Sequence, residues 1–186
     1  MNVAAPDLGA TLVAEALTIL ERDGLAALSL RGVARAAGVS AMAPYHHFAD
    51  RTALLAAVAV VGFERLYAAK MAATQGVDDP RAALVAGSRA YVRFVIENPA
   101  LYRLMKGPEM AERGAHPALA AAAARPAASL ARLLREMGAG PAAAEALWAL
   151  VHGFGLLAID GYLAGGPEAL VERAGAAADA LLKGVA

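Results

Sequence analysis

Apolar positions recur every three to four residues along almost the whole chain. Leu8, Leu12, Ala16, Ile19 and Leu20 form one stripe, which stops at Asp23-Gly24. Glycine is the residue most often found just past a helix end. Leu84, Ser88, Tyr91, Val92, Val95 and Ile96 form a second stripe, with Arg81, Arg89, Arg93 and Glu97 on the opposite face and Asn98-Pro99 as its stop. No segment shows sustained alternation rich in β-branched residues, so no sheet is expected. Further breaks fall at Gly38, Ala49-Asp50, residues 76–80, Gly107-Pro108, 114–117, 138–141 and 165–167. The punctuation divides an all-α chain into about nine helices, without an internal repeat. The alanine-rich stretch 118–128 reads as helix, because alanine is the best helix former. Pro126 should bend or break it.

The window from Ser29 to Leu55 carries the most specific pattern. Ser29 is a good N-cap for a short helix over 30–37, whose apolar face is Leu30, Val33, Ala34 and Ala37. Gly38 permits a tight turn with positive φ. Val39 packs inward, and Ser40 caps a second helix over 41–48, with Pro44 in its first turn, where a missing N–H costs little. Two short helices joined by a glycine-containing turn make a helix-turn-helix, whose second helix normally enters the DNA major groove. Asp50 is an N-cap for a long helix over 51–74 that sends Phe63, Leu66, Tyr67 and Met71 along one stripe.

Within that window, Ala36-Ala37-Gly38-Val39-Ser40, then Tyr45-His46-His47-Phe48, then Arg51 and Leu54-Leu55, resemble the signature of the TetR transcriptional regulators. The resemblance implies a three-helix DNA-binding head over residues 1–50 and a helical ligand-binding and dimerisation body over 51–186. It places Tyr45, His46 and His47 at the operator phosphates and groove, gives Phe48 the role of anchor, and puts Arg51 on a phosphate. With Ser29, Ser40, Ala41, Met42 and Ala43, these are the candidate DNA contacts. Residues 1–55 hold four basic side chains (Arg22, Arg31, Arg35, Arg51) and five acidic ones (Asp7, Glu15, Glu21, Asp23, Asp50). Phosphate neutralisation should therefore be weak and the salt dependence shallow. Base reading by Ala41, Met42 and Ala43 is limited to apolar contacts such as thymine methyls.

Trp148-Ala149-Leu150-Val151-His152-Gly153, continued by Leu156, Leu157, Asp160 and Gly161, resembles the Trp-His-Gly type of TetR C-terminal domain, as does the run from Asn98 to Met105. The surrounding helix is apolar on every side, so it should be buried on every side. Trp148, Val151, His152, Gly155 and Ile159 are expected on one face, and Leu147, Leu150, Phe154, Leu157 and Gly161 on the other. Gly153, Gly155 and Gly161 each cost about 1 kcal/mol inside a helix, which close helix–helix approach would explain. The last helix has Leu170, Ala174, Ala177, Ala178, Leu181 and Val185 within, and Glu172, Arg173, Asp179 and Lys183 outside. The resemblance makes these two helices the homodimer pair, forming a four-helix bundle. Phe63, Tyr67, Met71, Tyr91, Phe94, Tyr102, Met105, Trp148 and His152 are candidates to line a cavity for a small, mostly apolar effector. They could equally fill a core, and His152 could be a sensing group or a buried histidine bonded to a neighbour.

Composition narrows the alternatives. Hydrophobic residues make up 59% of the 186 and charged ones 18%, more apolar surface than a monomer readily hides. There is no cysteine, so disulfides and thiolate metal sites are excluded; with four histidines a structural zinc site is not expected, nor is any cofactor. No nucleophile–base pairing or phosphate loop suggests an enzyme. A helical interaction protein with weakened DNA binding is the main competing reading. Near the C-terminus the charge-free stretch 146–159 falls short of the roughly 18 apolar residues of a membrane span. The opening residues lack the pattern of a signal peptide, and a cytoplasmic protein is expected.

Overall fold

The computed structural model describes residues 7–184, and the opening residues 1–6 and Val185 lie outside them. Among the described residues there are eight α-helices, four short 3₁₀ turns and no strand. The helices are α1 (Leu8–Asp23), α2 (Leu30–Ala36), α3 (Arg51–Thr74), α4 (Pro80–Glu97), α5 (Pro99–Lys106), α6 (Pro117–Glu136), α7 (Pro141–Ile159) and α8 (Pro167–Lys183). The ninth expected helix resolves into a 3₁₀ turn, described below. α6 passes through Pro126 without ending.

Caps set most of these boundaries. Asp7 accepts from the Gly9 amide, Ser29 from Gly32, Asp50 from Ala53 and Asp79 from Ala82, at 2.8–3.1 Å. Gly24, at φ +81°, ends α1 by returning its amide to the Leu20 carbonyl. Gly38, at φ +68°, makes the turn after α2, a conformation open to glycine at no steric cost. Gly161 also has φ +78° and lies beyond the end of α7. It is a helix stop rather than the helix-interior residue anticipated from the sequence.

The chain forms two compact units. One comprises Met1–Gly62 and Ala100–Ala121, the other Phe63–Pro99 and Ala122–Ala186. In the first, α1 packs on α2, and α2 on the turn that follows it. Leu12, Leu20, Leu28, Val33, Leu54 and Leu55 are fully buried there, as are Leu101, Tyr102 and Met105 of α5. Gly62 gives Met105 its place: a β-carbon at 62 would come within 2.5 Å of the Met105 sulfur.

In the second unit, α4 packs against both α7 and α8, and α7 against α8. The buried line of α7 is Leu147, Val151 and Gly155, spaced i, i+4, i+8. It draws from both faces assigned from sequence, so that division was misplaced. At Gly155, α7 passes close to α4: a β-carbon there would lie 3.0 Å from a Val95 methyl. Gly153 has nothing within 4 Å of such a β-carbon, so the close approach expected of it does not occur within the chain.

Along the other side of α4 runs a ladder of ion pairs to α8. Arg81 reaches Asp179 (Nε–Oδ1 2.9 Å), Arg89 reaches Glu172 (Nε–Oε2 3.1 Å) and Arg93 grips Glu168 with both guanidinium nitrogens. The rising numbers on α4 meet falling numbers on α8, which makes the two helices antiparallel. These pairs are largely exposed and each contributes at most about 1 kcal/mol, so they set register more than stability. The hydrogen bond from Arg81, with Lys183 second, holds the Asp179 carboxyl below the usual carboxylate range.

By length and composition, α3 and α7 could each cross a membrane. Their mean hydropathies are 1.5 and 1.6, but 44% of the α3 window is buried inside the protein against only 17% of the α7 window. α3 is thus a core helix, whereas few residues of α7 are fully buried within the chain.

Candidate functional site

The segment after Gly38 is not the α-helix its sequence suggests. Residues 41–42 form a turn and Ala43–His46 a 3₁₀ turn. Pro44 is the physical reason: without an N–H it cannot donate to the carbonyl four residues back. The neighbours close shorter rings instead, Ala43 to Ser40, Tyr45 to Met42 and His47 to Pro44, each at 3.0–3.1 Å. One α-type bond follows, from Phe48 to Pro44 at 2.8 Å.

This compact turn sorts its side chains sharply. Pro44 and Phe48 are buried and fix it to the head. Ser40, Ala41, Tyr45, His46 and His47 are exposed, Ala43 is half-buried, and Met42 is 65% exposed. An exposed methionine flanked by alanines on a rigid turn is a surface for touching something apolar. Ser29 is spent on its cap. His47 leans toward the start of α1, where a β-carbon on Gly9 would come within 3.2 Å of its Nδ1. Tyr45 and His46 are therefore the outward polar partners of Met42.

Arg51 occupies a different place. Its Nε donates to the Leu28 carbonyl and its Nη2 to the Leu25 carbonyl, both at 2.8 Å. The guanidinium ties the start of α3 to the connection between α1 and α2. Sequence reasoning had no signal for this clamp, because the partners are 23 and 26 residues away. Arg51→Ala should lower the stability of the N-terminal unit by about 1–3 kcal/mol. Arg51→Lys should recover little, since an ammonium lacks the fork that spans two carbonyls. Thermal denaturation followed by circular dichroism checks this; an unchanged midpoint in Arg51→Ala would mean the clamp contributes nothing.

The two regions resembling known motifs match family models. Residues 12–58 match the model for bacterial regulatory proteins of the tetR family, and residues 84–178 that for the tetracyclin repressor-like C-terminal domain. The chain belongs to the TetR family. The TetR chain is similar over its full length to a protein of unknown function from Rhodococcus sp. RHA1, with 36% identity, a TM-score of 0.86 and 99% of that chain covered. It is also similar to PfmR, a TetR family transcriptional regulator from Thermus thermophilus, with 26% identity, a TM-score of 0.67, and 94% and 98% of the two chains covered. A third neighbour is the multidrug binding protein EbrR in complex with imidazole, at 25% identity and a TM-score of 0.62, with 91% and 94% covered. Among curated proteins none matches. The TetR chain is accordingly a ligand-responsive, DNA-binding transcriptional regulator, not an enzyme.

The candidate effector residues are distributed over both units. Tyr102 and Met105 are buried in the N-terminal unit. Phe63, Tyr91 and Phe94 are buried in the other unit, and Tyr67 and Met71 are half-buried there. Trp148 is 45% exposed on α7 and stacks on His152, with ring centroids 5.2 Å apart and planes 12° apart. An open groove of about 340 Å³ lies between α3 and α4, floored by Ala69, Ala73, Ala86 and Ala90, with Phe94, Arg89, Arg93 and Glu97 around it.

One basic group in this unit was not singled out from the sequence. Lys70 of α3 is half-buried, and its Nζ donates to the Pro126 carbonyl of α6 at 3.3 Å. Burial pushes its pKa down to about 8. The Arg125 guanidinium sits over the Tyr67 ring, 4.2 Å from its centre, one turn earlier along α3.

Proposed function

We propose that this TetR regulator is a cytoplasmic repressor that binds a palindromic operator as a homodimer and lets go when a small, mostly apolar effector enters its body. The functional division in this reading is a DNA-binding head over residues 1–50 and a ligand-binding and dimerisation body over 51–186. The observation that carries the DNA half is the exposed trio Met42, Tyr45 and His46 on a turn anchored by Pro44 and Phe48. The protein surface offers methionine and alanine where base edges would lie, so thymine methyls are the natural partners. Ser40, Ala41, Ala43 and His47 complete the contact surface, with Ser29 and Arg51 at its border. The uncovered apolar surface of α7 supports dimerisation through α7 and α8. The likeness to a multidrug binding protein supports a small-molecule effector.

Among the candidates for effector contact, Phe63, Tyr67, Met71, Tyr91 and Phe94 share one compact unit. α3 begins in the N-terminal unit at Arg51 and contributes Phe63, Tyr67 and Met71 to the other. A ligand that displaced those side chains would bias both. Coupling of this sort typically changes operator affinity by about 5- to 150-fold.

Selection of binding sites from random DNA tests the reading. Two half-sites related by a two-fold axis and spaced by about one or more helical turns are expected. A single unpaired half-site would overturn it. Substitutions in the turn refine the assignment. Met42→Ala should relax sequence preference, mainly for thymine, by about 1 kcal/mol at one position, the worth of a methyl group or so returned to water. Tyr45→Phe should weaken binding to all sequences about equally, as loss of a phosphate contact does. The opposite pattern, measured by competition against a panel of base-substituted operators, would reverse the two roles.

A further inference from the structure

Lys70 has a position that packing alone does not explain. Its side chain leaves α3 and passes α4 at Gly87, where a β-carbon would lie 3.6 Å from Lys70 Cε. It ends on the Pro126 carbonyl of α6. An ammonium carries three donors, and this carbonyl is the one hydrogen-bond acceptor Lys70 finds among the described residues; no ion pair there includes it. A half-buried cation without a carboxylate is costly, and an apolar side chain of similar length would fill the same space at less cost. The surroundings are cationic too. Arg125 precedes Pro126 on α6 and lies exposed over the Tyr67 ring. The same α3–α4 seam carries the alanine-floored groove beside Phe94. Of the acidic groups in this unit, Glu168, Glu172 and Asp179 are engaged by Arg93, Arg89 and Arg81, and Glu136 by Arg132.

The geometry points to Lys70 as the receptor for a carboxylate on the effector, with Tyr67 as a wall of the site and Arg125 at its entrance. The inference rests on the regulator reading above and names the effector's class: an organic monoanion with an apolar remainder. Two donors of Lys70 are left over, which suits the two oxygens of a carboxylate. Arg125 keeps its charge over the Tyr67 ring but stands at the entrance, so Lys70 alone meets the anion inside, and its two remaining donors match a carboxylate better than the three oxygens of a dianionic phosphate. Binding restores to Lys70 the counter-ion it lacks, and the ligand-free protein holds the cost of its absence.

The test uses the full-length dimer and matched probe pairs: decanoate against decanamide, and phenylacetate against phenylacetamide, with phenyl phosphate as the dianion. Binding is read by calorimetry and by the rise in melting temperature. At least one carboxylate should bind and stabilise the wild type, while its amide and phenyl phosphate do not. Lys70→Met should weaken that carboxylate by roughly 30-fold or more, the usual consequence of removing one partner of a buried charge pair. Lys70→Arg, which keeps the charge, should retain most of the binding and so separates a charge requirement from a folding defect. The inference is overturned if neither carboxylate binds the wild type, if the amides bind as well as the acids, or if Lys70→Met binds unchanged. Operator release is read separately on the wild type. Release by the neutral amides would keep the regulator and remove the carboxylate; operator binding insensitive to every bound probe would remove effector control itself.

Discussion

Trp148→Glu should split the dimer into folded monomers and lower operator affinity by about 10²- to 10⁴-fold. Trp148 is 45% exposed on α7, as is Leu157 about two and a half turns further on, and Tyr162 is 77% exposed just beyond the helix. Only 17% of the apolar window of α7 is buried within one chain. Apolar surface exposed to this extent marks a site of association. Because Trp148 lies outside the buried line of Leu147, Val151 and Gly155, a carboxylate there should spare the subunit fold. In a symmetric pair it would be desolvated at the interface, where an unpaired charge costs several kcal/mol. The loss at the operator follows from geometry: the second head of a dimer binds at a high effective concentration, and a monomer forfeits that gain. Sedimentation measures the first outcome and operator titration the second. A Trp148→Glu protein that stayed dimeric would exclude this face of α7 from the interface. One that became monomeric yet bound the operator fully would show that the two heads act independently.

Lys70→Met should stabilise the ligand-free protein near neutral pH by about 1–3 kcal/mol, raising its melting temperature by several degrees. Burial lowers the Lys70 pKa from 10.5 to about 8, so the folded state disfavours the charged amine. The sign follows from proton counting. Between pH 8 and 10.5 the unfolded chain binds a proton at Lys70 and the folded chain does not. Unfolding therefore takes up a proton, and wild-type stability rises with pH across that window. Below about pH 8 both states are charged, and the folded state bears the full cost. Methionine has a similar reach and no charge, so its advantage should be greatest at about pH 7 and shrink as pH approaches 10.5. The lost hydrogen bond to Pro126 offsets part of the gain. Melting curves of both proteins from about pH 7 to 10 check this. A substitution that destabilised near neutral pH, or an advantage independent of pH, would mean that the ammonium is well solvated or well paired where it sits.

Much of the helical framework was legible in the sequence because its causes are local. Ser29, Asp50, Gly24 and Gly38 act on amides and carbonyls within a few residues, and periodicity over 51–74 matched α3 at both ends. The head was legible in its residue types but not in its geometry. From sequence Pro44 is harmless in the first turn of a helix, whereas the short segment around it has too few α-type bonds to outweigh the one it removes, and it closes as a 3₁₀ turn.

The sequence by itself determined that this protein is all-helical, that a capped short helix and a glycine turn precede Pro44, and that the chain belongs among the TetR regulators; each depends on spacings that survive without knowledge of the fold. Tertiary structure decided the rest. It set Arg51 against carbonyls 23 and 26 residues away, and matched Arg81, Arg89 and Arg93 to acids 75–98 residues on. It chose Leu147, Val151 and Gly155 as the inward line of a helix whose every face is apolar, and left Lys70 under α4 without a carboxylate. The physical reason is common to all four. Periodicity records which residues prefer to leave water, but a helix apolar all round has no preferred face, and a charged side chain's partner depends on which helix packs opposite it.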